Sequence, residues 1–94
     1  MTISILGTLY TVEYAQTIGD ADKVGKTDFV DKKIYILQNI PLEEFDIVFK
    51  HEVIHAFLYE CGLNDYNKDE MLVDFFAMQW NKLDDIFKKY LTNR

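Results

Sequence analysis

The sequence predicts an α+β domain, with a small antiparallel sheet of two to three strands (residues ~2–37) packed on helices near 42–61 and 68–91. Two observations predict it. Apolar and β-branched residues recur with period two through the first third of the chain. That pattern gives way to helical spacing at Pro41, so strands and helices segregate along the chain as they do in α+β folds.

Each element has a local cause. From Ile3 to Tyr14 the residues Ile3, Ile5, Tyr10, Val12 and Tyr14 alternate with others, interrupted at Gly7-Thr8. This is one long strand bent at Gly7, or two short ones. Ile18 to Lys26, with Gly19, Asp20, Asp22 and Gly25, is a turn-rich connection. Thr27–Val30 and Lys33–Leu37 flank Asp31-Lys32 and form a hairpin. Pro41, the only proline, starts the first helix, with Glu43 and Glu44 in the first turn and Gly62 as the stop. Plotted at ~100° per residue, Glu43, Asp46, Lys50 and Glu60 fall on one side, and Val48, His51, Glu52, His55 and Tyr59 on the other. Leu63–Asn67 is a short loop, and the second helix carries an apolar stripe of Leu72, Phe76, Trp80, Leu83 and Phe87.

Ninety-four residues make one domain with a single modest core, and no linker marks a second. One cysteine, Cys61, excludes an intramolecular disulfide. The start, Met1–Val12, has no basic n-region or cleavage signature, and no run reaches the length of a membrane span. A cytoplasmic protein with no membrane contact is the expectation. The net charge of -6 argues against a nucleic-acid partner, since gripping a phosphate backbone needs clustered Lys and Arg.

The chemistry-bearing motif is His51-Glu52-Val53-Ile54-His55. Residues four apart stack on one helix face, so both imidazoles can aim at one metal ion, with Glu52 beside them as a general base. Two histidines fall four apart in about 2 % of random placements, and a Glu after the first lowers this to on the order of 0.1 %. The pattern is therefore not noise in the composition. The alternative is a helix with two satisfied histidines and a solvated Glu. A catalytic zinc takes three protein ligands and keeps an open position. Glu70 can be the third, with Asp74 placed to accept an imidazole N–H. Equally, Asn67-Lys68-Asp69-Glu70 reads as a helix cap related to the capping box.

His51-Glu52-Val53-Ile54-His55, followed by Asp69 through Ala77, resembles the gluzincin zinc metallopeptidases over residues 48–77. The short ligand gap is most similar to the small ImmA/IrrE-like and SprT-like peptidases, many of them encoded by phages and mobile elements of Gram-positive bacteria. The resemblance implies Zn2+ on His51, His55 and Glu70, Glu52 as base, Asp74 behind the ligands, and a protein or peptide substrate in a bacterial or phage-infected cell. It also implies that the last strand before the helix, Ile34–Leu37, borders the cleft and pairs with an extended peptide. Ile54 stands where the ImmA/IrrE type often has Gly, and no second domain fits in this length. Gluzincins usually stabilise the oxyanion with an extra His or Tyr. With no third histidine, Tyr59 and Tyr66 are the candidates, though both also suit core or rim positions.

Two other functions fit the same residues. The metal can be a staple for a small core without turnover. The chain can also be an acidic, phage-type interaction protein that keeps a peptidase fold to bind a partner.

Overall fold

The computed structural model describes residues 1–19 and 23–91, so Asp20 and Asp22 of the turn-rich connection lie outside the described residues. Among these residues it is an α+β domain of four strands and three helices. In chain order they are β1 (Thr2–Ile5), β2 (Thr8–Ala15), β3 (Gly25–Asp28), β4 (Lys33–Leu37), α1 (Leu42–Glu60), α2 (Asn64–Asn67) and α3 (Glu70–Leu91). Among the described residues, no helix is long and apolar enough to cross a membrane.

The period-two segment before residue 15 is two strands. They are joined by a tight Leu6-Gly7 turn with φ of 52° and 86°, the positive pair that a type I′ hairpin needs. In the second hairpin the strands end at Asp28 and begin again at Lys33. Asp28 Oδ1 accepts from the amides of Val30 and Asp31 at 3.0 and 2.9 Å, and so holds a four-residue loop instead of a two-residue turn.

The sheet order β1-β2-β4-β3 corrects the expected sheet in two ways: it has four strands, and its central β2–β4 pair is parallel. The chain leaves β2, passes the place β4 will take, runs down the outer edge as β3 and returns inside it. β4 therefore lies beside β2 with the same direction.

The helix α1 lies on one face of this sheet. Tyr10, Val12, Ile34, Ile36, Val48 and Ala56 form the buried centre, flanked by Val24, Phe45, Phe49 and Val53. Its C-terminus is a Schellman turn: Gly62 (φ 78°) donates to Tyr59 O and Leu63 donates to Leu58 O, both at 2.9 Å. Glu60 belongs to the packed side and not to the solvated one. Its carboxylate accepts from Thr8 Oγ1 at 3.0 Å, Tyr10 Oη at 2.7 Å and Lys32 Nζ at 2.9 Å, tying the helix end to β2 and the hairpin loop. The segment expected as a loop before α3 contains a helical turn, α2, and α3 begins at Glu70. Asp69 supplies its cap, with Oδ1 accepting from Leu72 N at 3.1 Å. That leaves Asn67 free of the capping role.

Candidate metal centre

One turn of α1 separates His51 from His55, and α3 crosses that face with Glu70 and Asp74, one turn apart on its first two turns. The three expected ligands converge. His51 Nε2 lies 3.1 Å from Glu70 Oε2, His55 Nε2 lies 3.1 Å from Glu70 Oε1, and the two Nε2 atoms are 3.1 Å apart. Glu70 therefore points at the histidines and does not cap its own helix.

The opposite ring nitrogens are both engaged. His51 Nδ1 is 2.7 Å from Asp74 Oδ1, and His55 Nδ1 is 2.7 Å from Asn67 Oδ1. Both oxygens can only accept, so each Nδ1 carries its proton, and in a neutral ring each Nε2 presents a lone pair to the other and to the carboxylate. Lone pairs 3.1 Å apart with no proton between them repel unless a cation lies among them. Zinc bonds of about 2.0 Å to N and O span tetrahedral edges of about 3.3 Å, close to the observed triangle. Two N donors and one O donor, with Asp74 and the buried Asn67 behind the rings, suit zinc. The site faces solvent on the α3 side: the side chains of Glu70 and Asp74 are 66 % and 60 % exposed, those of His51 and His55 only 16 % and 10 %.

Glu52 is buried, on the same wall as the histidines. Thr27 Oγ1 lies 2.7 Å from its Oε1 and 3.1 Å from its backbone carbonyl, with the hydroxyl as donor. Burial pushes its carboxyl above the ordinary glutamate range; the Thr27 hydrogen bond and the neighbouring His51 and His55 oppose that shift. Its other oxygen lies against β3 at Gly25. A Cβ built on Gly25 would sit 2.8 Å from Glu52 Oε2 and 2.8 Å from Val48 Cγ1. Only a residue without a side chain lets the edge strand approach this close.

These groups share a cleft of about 690 Å³ between β3 and the helices; Lys23, Val24, Lys26 and Phe29 line it beside the metal-site residues. The strand bordering it is β3, not the expected Ile34–Leu37 strand, which is paired on both sides. Val24 O accepts from Leu37 N at 2.9 Å. By antiparallel alternation, Lys26 and Asp28 also turn their backbone groups to β4, leaving those of Gly25 and Thr27 directed at the open edge.

Neither tyrosine proposed for the oxyanion lines this cleft. Tyr59 stacks on Phe29 with ring centres 4.4 Å apart and lies under Lys32 Nζ at 4.7 Å. Tyr66 is exposed on α2. Three residues of the site escaped the sequence: Asn67, which looked like a cap, and Gly25 and Thr27, which looked like parts of a turn and a strand. Only the position of Asn67 within the gap between ligands hinted at its role.

No protein family, curated protein or solved structure matches the chain.

Proposed function

We propose that the chain is a zinc-dependent peptidase of the gluzincin kind, which hydrolyses peptide bonds of a protein or peptide substrate. The observation that carries this reading is the convergence of His51, His55 and Glu70 lone pairs beside a buried carboxylate, Glu52, that is not one of the three. A metal site with no base beside it would serve structure alone; a base held by its own partners next to the ligands suits hydrolysis.

His51, His55 and Glu70 would hold the ion, which when bound supplies a Lewis acid and lowers the pKa of a coordinated water toward ~7. Asp74 and Asn67 hold the imidazole rings in the tautomer that binds metal. An extended substrate pairs with the free edge of β3 at Gly25 and Thr27. Glu52, held by Thr27, takes the proton of the attacking water and delivers it to the leaving amine. Its raised pKa suits it to take up the water's proton in the first half of the reaction.

The test is metal analysis of the purified protein beside a Glu52→Gln variant, followed by a proteome-wide cleavage screen. Zinc at about one per chain in both proteins, with cleavage only by the wild type, is the expected result. A chain that takes up no metal at neutral pH overturns the proposal.

One observation favours a staple without turnover. The helix α3 buries only Val73 and Ala77, so an ion held between α1 and α3 would be a main link between that helix and the rest. In that case both proteins bind zinc and neither cleaves.

A further inference from the structure

The helix α3 is largely uncovered. It meets α1 through Glu70, Asp74 and Asn81, the last accepting from Lys50 Nζ at 3.0 Å, and through the small buried residues Val73 and Ala77. The large side chains of its apolar stripe lie to one flank of that contact. Phe76, Trp80, Phe87 and Tyr90 remain 38, 43, 49 and 64 % exposed.

Plotted at about 100° per residue, an arc of roughly 200° between Lys82 and Asp84 holds no charged residue, and Gln79 is its only amide side chain. Within it Phe76, Trp80, Leu83, Phe87 and Tyr90 follow one another at spacings of four and three, the pattern of a seam between paired helices. An isolated surface helix would carry charges across such a face.

The dimensions of the whole chain agree. Its accessible surface is 6783 Å², whereas a compact monomer of 11.1 kDa should expose about 5,700 Å². Its radius of gyration is 14.2 Å against about 12.4 Å for a compact domain of this length. The excess, about 1,100 Å², exceeds the ~800 Å² that each partner buries in a standard stable interface.

We propose that this face docks a second copy of the chain, α3 against α3, antiparallel about a two-fold axis near Leu83. A seam centred on Leu83 is self-complementary under that rotation, pairing Phe76 with Tyr90 and Trp80 with Phe87 of the other copy. Antiparallel packing also sets the dipoles of the two helices in opposition, which favours this orientation over a parallel one. The net charge of -6 disfavours an anionic membrane surface as the occupant.

Sedimentation equilibrium of the whole chain at micromolar concentrations should give twice 11.1 kDa. Trp80→Glu should weaken association by about 30-fold or more, with an unchanged far-UV circular dichroism spectrum. A second variant does not depend on that charge being tolerated. In a Cys61→Ser background, Leu83→Cys should form a covalent dimer under mild oxidation, and Lys82→Cys should not. A wild-type chain that stays monomeric, an undiminished dimer after Trp80→Glu, or a Leu83→Cys chain that does not cross-link overturns the proposal. So does a monomer that floats with vesicles containing phosphatidylglycerol, which would identify the face as membrane-seeking.

Discussion

Asn67 Oδ1 and His55 Nδ1 lie 2.7 Å apart, both residues are buried, and the bond ties α2 to the centre of α1. The amide oxygen fixes which nitrogen of His55 faces Glu70, as the Asp74 carboxylate does for His51. One ring of the candidate site is therefore oriented by a neutral partner and the other by an anionic one.

Removing either partner should loosen the site without unfolding it. Asn67→Ala should weaken zinc binding about 10- to 100-fold, the usual effect of losing a group that orients a ligand. Asn67→Asp, which keeps an acceptor in place, should restore most of it. Competition against a chromophoric chelator measures both. Unchanged affinity in Asn67→Ala would mean that packing alone orients His55.

Glu52→Gln should keep the full metal content, since Glu52 is not among the converging ligands. Hydrolysis should fall by orders of magnitude, because an amide cannot accept the water's proton. The melting temperature should stay level or rise slightly, because burying the charged carboxylate is a burden on the fold that the amide removes. Loss of zinc in this variant would instead make Glu52 a ligand.

Gly25→Ala tests the edge strand. The added methyl meets Glu52 Oε2 and Val48 Cγ1 at 2.8 Å, so β3 or the base must move. Overpacking of this kind costs about 1–3 kcal/mol, readable in a urea midpoint. Zinc content should hold while hydrolysis falls, since His51, His55 and Glu70 are not displaced. A variant with full activity would show that the precise seat of Glu52 is unimportant.

The Glu60 cluster should contribute to the loss of stability in acid. Hydrogen bonds from Tyr10, Lys32 and Thr8 hold its carboxyl below the ordinary range. A depressed native pKa means the unfolded chain binds the proton more readily. The stabilisation is then fully present above the unfolded value of ~4.3 and drains away as pH falls through the lower native one. Urea midpoints measured from neutral pH down to about 3 should fall less steeply for Glu60→Gln than for the wild type. Parallel slopes would remove Glu60 from the acid transition.

What could be read in advance follows the range of the interactions involved. His51, Glu52 and His55 lie on one helix turn, where spacing alone decides which side chains share a face, and Glu70 and Asp74 repeat that logic on α3. Elements of one period, α1, α3 and the β3–β4 hairpin, were legible for the same reason, whereas the segment before residue 15 left one bent strand and two short ones equally open. The strand count and the parallel β2–β4 pair were not, because alternation shows that a segment is extended and says nothing of its neighbour. Glu60 misled for a related reason: its helical position is polar, but Thr8, Tyr10 and Lys32 arrive from distant strands to receive it. Thr27 sits 25 positions from Glu52, beyond the reach of any local spacing rule. The α3 stripe was visible, but spacing could not reveal that α1 would contact the neighbouring flank.

Metal removal should act unevenly across the chain. The main hydrophobic cluster joins the sheet to α1 and, among the described residues, includes none of α3, whose buried Val73 and Ala77 lie apart from it. The helix α3 is held to the rest chiefly by Val73, Ala77, the Lys50–Asn81 hydrogen bond and the groups around the metal site. Without a cation, the facing Nε2 atoms and the Glu70 carboxylate lose what reconciles their lone pairs. Chelation should therefore raise hydrogen exchange in residues 70–91 well before it raises exchange in β2, β4 and α1. The Trp80→Glu chain is the right subject, because a second copy could otherwise protect α3. Uniform loss of protection from sheet and helices together would make the ion a staple for the whole domain. Exchange confined to α3 would leave the sheet, α1 and Glu52 as a preformed frame that metal binding completes.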